Sequence, residues 1–238
     1  MCSVHYSDNM KQALLPKSTF AFLKDIKKQN NRVWFNKNKN VYIEQNQAVI
    51  NFADVLIAKM NQHDKIETPS GKKAVFRIYR DVRFSKDKSP YKTHFGMHMS
   101  RATKLLRGGY YFHIEPGKCF VGGGFWDPNP DDLKHIREQI ALDPKPLRKI
   151  LASKSFKANF GKLEGEKLVN VPRGFEKDHP ATDLLRYKQF LISRKISESV
   201  LQSSKGLNEV VRSFRAMRPF FDYMSEILTT STNGEPLH

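Results

Sequence analysis

The chain has 238 residues, 39% of them apolar and 27% charged, with 17 Phe, 8 Tyr and a formal net charge of +17. This composition excludes the aromatic-poor class of disordered chains, and the length suffices for one domain with a substantial core. Two cysteines, Cys2 and Cys119, lie far apart and outside any CxxC spacing, which excludes a disulfide framework and a cysteine-based zinc site.

The N-terminus MCSVHYSDNMKQALLP has no apolar run of the leader type, and the most aliphatic segment, AVINFADVLIAKM, is interrupted by Asn51 and Asp54. No membrane partner is expected, and a cytoplasmic location fits the cysteine usage. Ser18 before TFAFLKDIKK reads as an N-cap and a short helix with Phe22, Leu23 and Ile26 on one side, ending at Asn30 and Asn31. A longer helix follows Trp34-Phe35, where Tyr42, Val49, Phe52, Ala53, Leu56 and Met60 recur at the helical period.

After TPSG at residues 68–71 the period becomes two. Ala74, Phe76 and Ile78 alternate with Val75, Arg77 and Tyr79, the pattern of a strand with one buried face. THFGMHMS, YYFHIE and KCFVGGGFW give three more strands, and the short links RGG and EPG suit antiparallel hairpins. DPNPDDLKHIREQI predicts a helix capped by Asn129 or Asp127, with Pro130 near its first position and Leu133, Ile136 and Ile140 inward. Its acids Asp131 and Asp132 make its start a poor anion site, so Gly122, Gly123 and Gly124 are read as permitting close backbone packing or a bulge. Short helices around PLRKILAS, a strand in YKQFLISRK and a helix from about Leu207 to Leu228 complete the chain, with Pro219 expected to kink or break the last. The expected fold is α+β: an antiparallel β-meander with helices packed on one face, flanked by N-terminal and C-terminal helices. One domain is expected over residues 1–238, ordered from about residue 12 to residue 229, with a frayed C-terminal tail.

The charge is concentrated. Lys72 to Arg107 holds 11 Lys and Arg against 2 Asp, a net of +9. Within it Arg77, Arg80, Arg83, Lys86, Lys88 and Lys92 are interleaved with Tyr79, Asp81, Phe84, Asp87 and Tyr91. Guanidinium groups grip phosphate or carboxylate through paired hydrogen bonds, so Arg77, Arg80, Arg83, Asp87, Lys88 and Tyr91 are candidate ligand-binding residues for a small anion. The same spacing also suits a structural ion-pair network.

The pattern R-x-x-R-D-x-R-F-x-x-x-D-K-x-x-Y, filled by Arg77, Arg80, Asp81, Arg83, Phe84, Asp87, Lys88 and Tyr91, resembles the signature of domain-of-unknown-function family 2461. The likeness extends to NNRVWF, PRGFEKDHP and LLRYK. It implies no reaction, cofactor or substrate; it puts weight on those eight positions.

Histidines give further candidates. His94 and His98 are four apart, roughly 13 Å along a strand, too far to share one ion, so no metal or other cofactor is expected. A cross-strand group of histidine with His113 and Glu115 would change this, but register is not legible in the sequence. Cys119, between strand residues, reads as a packing residue. Asp81 and His98 are the candidate catalytic bases, with the arginines and Lys88 as electrostatic stabilisers. Arg173, His179 and Lys188 are secondary candidates, although Pro172, Gly174 and Pro180 equally suit a shaped loop.

Three functions remain open: a pocket for a small anionic ligand, catalytic or not; nucleic-acid binding through a basic surface with exposed aromatics, without a recognised motif; and a structural role for the Arg/Asp signature. The first stands ahead because the signature mixes Arg, Asp and Tyr at fixed positions.

Overall fold

The computed structural model describes residues 14–102 and 104–237; Cys2 and most of the segment read for a leader lie outside them. Two compact units are distinguished. The first comprises the chain up to Met99, Tyr111–Val121 and Lys195–Arg212; the second comprises Ser100–Tyr110, Gly122–Arg194 and the chain from Ser213 onward.

The strands are β1 (Phe95–Ser100), β2 (Gly109–Ile114), β3 (Phe120–Phe125) and β4 (Phe190–Lys195), paired in sequence order as an antiparallel meander. Their alternation sets one buried and one open face. Phe95, Met97 and Met99 of β1 and Tyr110, Phe112 and Ile114 of β2 are buried, whereas His98 is exposed.

In the first unit, α1 (Lys17–Lys28) buries Phe20, Phe22, Leu23 and Ile26. Its N-cap is Pro16 rather than Ser18; the hydroxyls of Ser18 and Thr19 instead donate to Gln45 Oε1, 3.0 Å from each, tying α1 to α3 (Lys39–Met60). Asn31 caps the intervening α2 (Arg32–Lys37) by accepting from Trp34 N at 2.9 Å. As the heptad-like spacing predicts, α3 buries Val49, Phe52, Ala53, Leu56 and Met60, and Phe52 reaches Phe112 with ring centroids 5.8 Å apart. Each of the buried Val, Phe, Leu and Met side chains contributes roughly 1.5–3 kcal/mol by leaving water.

The predicted strand at residues 74–79 is realised differently. Gly71–Ala74 forms a single turn, α4, after which Val75 bridges Met97 and Tyr79 bridges Tyr91 as isolated antiparallel pairs. Ile78 is buried but Phe76 is exposed, so the alternation fails at its centre. Residues 75–92 are a hairpin rather than a full strand: Arg80 N donates to Pro90 O at 2.9 Å and Lys92 N to Ile78 O at 2.7 Å. The short helix α9 (Glu198–Leu201) closes this unit, capped by Ser197.

In the second unit, α5 (Pro130–Leu142) starts at Asn129, one of the two candidate caps, whose side chain accepts from Asp132 N at 2.8 Å, and buries Ile136 and Ile140. The short helices α6 (Lys145–Ala152), α7 (Lys154–Phe160) and α8 (Thr182–Leu185) follow. The last helix, α10 (Gly206–Thr229), begins in the first unit and runs unbroken through Pro219. Pro219 sits on its exposed side while Phe214, Met217, Phe220 and Phe221 are fully buried around it, an anchorage that offsets the lost backbone bond. Phe214 and Phe221 cover Tyr110 of β2 at 4.9 and 5.1 Å. The tail read as frayed folds back: Thr230 bridges Pro236, and Leu237 N donates to Thr229 O at 2.9 Å.

Candidate functional site

The hairpin of residues 75–92 carries the whole signature, and most of that signature builds the hairpin. Arg80 forms an ion pair with Asp87 and donates to Ser89 O at 3.1 Å. Asp87 in turn accepts from Ser89 N at 2.9 Å. Bonds from Ser89 first, then Arg80, hold the Asp87 carboxyl down at about 2. Arg83 clamps Asp81 through two guanidinium nitrogens, Nε at 3.0 Å and Nη2 at 2.7 Å, and this lowers the Asp81 pKa. A carboxylate so stabilised is a weak base, which weighs against Asp81 as a proton acceptor. Lys88 Nζ donates to the carbonyls of Val82 at 3.1 Å and Arg83 at 3.4 Å. Tyr91 is buried, stacked on Phe35 with centroids 3.9 Å apart, and its backbone is held by the Asn30 side chain.

Two signature residues are left over. Among the described residues the Arg77 side chain makes no hydrogen bond or ion pair, and Phe84 is 95% exposed at the hairpin tip, with only the Arg83 guanidinium over its ring at 5.9 Å. Exposed Lys86 lies beside it. A loop cross-linked by its own ion pairs therefore displays an apolar ring beside positive charges.

A second cluster lies on the open face of the sheet. Tyr111, His113 and Glu115 follow one another at every second position of β2 and just beyond its end, so all three point the same way. The Tyr111 hydroxyl and His113 Nδ1 are 2.9 Å apart, and His113 Nε2 and Glu115 Oε2 are 3.2 Å apart. In the neutral ring Nε2–H donates to the carboxylate, and Nδ1 accepts from the Tyr111 O–H. Burial raises the Tyr111 pKa, so the phenol stays protonated and is not an activated nucleophile.

The register brings His94, just before β1, against His113, with ring centroids 4.3 Å apart. His94, His113 and Glu115 offer ligand atoms within 4.8 Å of one another. Burial first, then the neighbouring His113, lowers the His94 pKa to about 4, leaving that ring neutral at pH 7. Phe120 stacks on His113 at 4.8 Å, and Lys27 Nζ stands 3.8 Å from Glu115 Oε1. The pair that meets is thus His94 with His113, not His94 with His98, which stays exposed on β1. Sequence reasoning missed Tyr111 and Lys27. The Tyr111 spacing within its strand was legible; Lys27 comes from a separate helix.

Arg173, His179 and Lys188 belong to the second unit. His179 Nδ1 accepts from Ala181 N at 3.0 Å and its carbonyl from Thr182 Oγ1 at 2.7 Å, shaping the turn into α8. Lys188 Nζ pairs with Glu166 Oε2 at 2.6 Å, and Arg173 is exposed. Cys119 is buried, and its Sγ contacts Glu115 O at 3.1 Å. Burial pushes its thiol up to about 11. At pH 8 only about one Cys119 thiol in a thousand is ionised, so iodoacetamide labelling of the folded protein is expected to be far slower than of the urea-unfolded chain; equal rates by mass spectrometry would contradict the burial.

Among the described residues no helix is long and apolar enough to cross a membrane. Comparison with curated proteins and with solved structures yields no match. A family model described as conserved hypothetical protein (DUF2461) matches residues 18–223, which include the whole hairpin and the open-face cluster. The chain belongs to the DUF2461 family of conserved hypothetical proteins.

Proposed function

We propose that the protein binds single-stranded nucleic acid through the tip of the 75–92 hairpin. The observation that carries this reading is Phe84, 95% exposed on a loop whose ion pairs and carbonyl contacts hold it in place. A ring that the fold does not bury offers a base a stacking surface, while Lys86 and Lys88 on the same loop and Arg77 farther along the hairpin supply charge for phosphates. Farther along the hairpin, Phe76 and Tyr79 are 44% and 47% exposed, with Lys92 Nζ 5.5 Å above the Phe76 ring. A small-anion pocket draws less support, since Arg80 and Arg83 are engaged with Asp87 and Asp81.

Fluorescence anisotropy with a labelled single-stranded oligonucleotide tests the proposal. Phe84→Ala is expected to weaken binding about ten-fold, within the roughly 1–3 kcal/mol range of one base stacked on an aromatic ring. Arg77→Ala and Lys86→Ala are each expected to flatten the log–log salt slope by about 0.7. Binding that ignores all three variants, or that inorganic phosphate matches at high salt, would overturn the assignment and favour the small-anion alternative. Binding to anionic vesicles, with no oligonucleotide binding, would replace nucleic acid by a lipid surface.

A further inference from the structure

We propose that His94, His113 and Glu115 form a site for one divalent first-row transition-metal ion of the zinc or iron(II) class. The three side chains come from the start of β1 and the end of β2 on the open face, and their ligand atoms lie within 4.8 Å of one another. A tetrahedral ion with bonds of about 2.0–2.2 Å holds its ligand atoms roughly 3.3–3.5 Å apart, so side-chain rotation of about 1 Å completes the set. Two imidazole nitrogens and one carboxylate oxygen suit this class of ion rather than calcium or magnesium, which favour all-oxygen shells.

Two observations go beyond proximity. The His94 ring is half-buried, yet among the described residues nothing hydrogen-bonds to it. A histidine buried only for packing normally finds partners for its ring nitrogens, whereas this one faces a second imidazole and a carboxylate. In addition, the Tyr111 hydroxyl lies on His113 Nδ1, the place where metal-bound imidazoles carry their outer hydrogen-bond partner. On metal binding the ring proton of His113 sits on Nδ1 and donates to the Tyr111 oxygen, and the Nε2 lone pair is free for the ion. The ring stays neutral, and the Tyr111 bond reverses direction. Phe120 fixes the ring plane, and Lys27 lies nearest Oε1, leaving Oε2 for the ion.

The test uses the full-length chain, stripped with EDTA and titrated with Co²⁺ and then Zn²⁺. Expected are one ion per chain, a visible Co²⁺ absorption band that Zn²⁺ abolishes, and loss of both in His94→Ala and Glu115→Gln. Tyr111→Phe is expected to weaken binding about ten-fold while leaving the stoichiometry intact. Circular dichroism accompanies each variant; if His94→Ala does not fold, Glu115→Gln, which preserves volume, decides. Fewer than one ion per chain at saturating metal, or a Co²⁺ spectrum unchanged in the folded variants, would overturn the site.

Discussion

Gly124→Ala is expected to destabilise the protein by at least about 4 kcal/mol, placing it among the most damaging substitutions available in this chain. Two effects coincide at this position. The backbone of Gly124 has φ of 129°, a region that residues with a side chain rarely adopt. A Cβ built there would also lie 2.1 Å from the Phe190 carbonyl oxygen and 3.1 Å from Leu191 Cα. Both obstacles are backbone atoms of β4, and Phe190 is fully buried, so relief requires β3 and β4 to separate. For a chain of this size the loss corresponds to a fall in Tm of at least about 8 °C. Gly117→Ala is the control: its φ is 76°, but a Cβ there meets nothing within 4 Å, so only a backbone cost of about 1–2 kcal/mol is expected. Thermal and urea denaturation of the two variants, compared with the parent, measure the difference. Equal losses would show that the contact with β4 is not what makes Gly124 indispensable.

The second large effect is expected at Asp222. The Arg101 side chain is fully buried, donates to Asp222 Oδ1 at 2.6 Å, to Ser225 Oγ at 3.2 Å and to Arg107 O at 3.2 Å, and its guanidinium lies 5.7 Å from the Phe221 ring centroid. Asp222→Ala removes the carboxylate and leaves a positive charge shut away from water, at a cost of about 3 kcal/mol. Arg218, which also pairs with Asp222, loses an exposed neighbour one helical turn away and contributes little. Because the penalty comes from the charge left behind, Asp222→Ala combined with Arg101→Met is expected to recover most of the stability. The urea midpoints of the two single variants and the double variant test this; a double variant as unstable as the sum of the singles would mean that Arg101 acts through packing alone.

At the two candidate surfaces, local pattern and tertiary contact each account for a part. In the signature the local pattern identified the charged residues but left open whether they bind a ligand or one another. Arg80, Asp81, Arg83, Asp87 and Lys88 turn out to bond within the hairpin, and the residue that this construction displays is Phe84. Phe84 stands in the signature without a role of its own, and nothing local reveals that a turn carries its ring into solvent. At the open-face cluster, the period-two spacing put Tyr111, His113 and Glu115 on one side of a strand. The fourth member, His94, joins them only through the pairing of β1 with β2, and one residue of slip would send every side chain to the other face.

By itself, the sequence determined the elements with a strong local signal: the amphipathic period of α3, the Asn129 cap with Pro130, the alternation in β1 and β2, the glycines that let β3 approach its neighbours, and the α+β class that these compose. Those features are set by interactions a few residues apart, which a linear pattern records. The tertiary structure decided the rest: the continuity of α10 through Pro219, the folding-back of the tail, the division into two units each drawn from separate segments, and the meeting of His94 with His113. These depend on packing and strand register between distant segments, and that energy belongs to pairs of residues that no local pattern brings together.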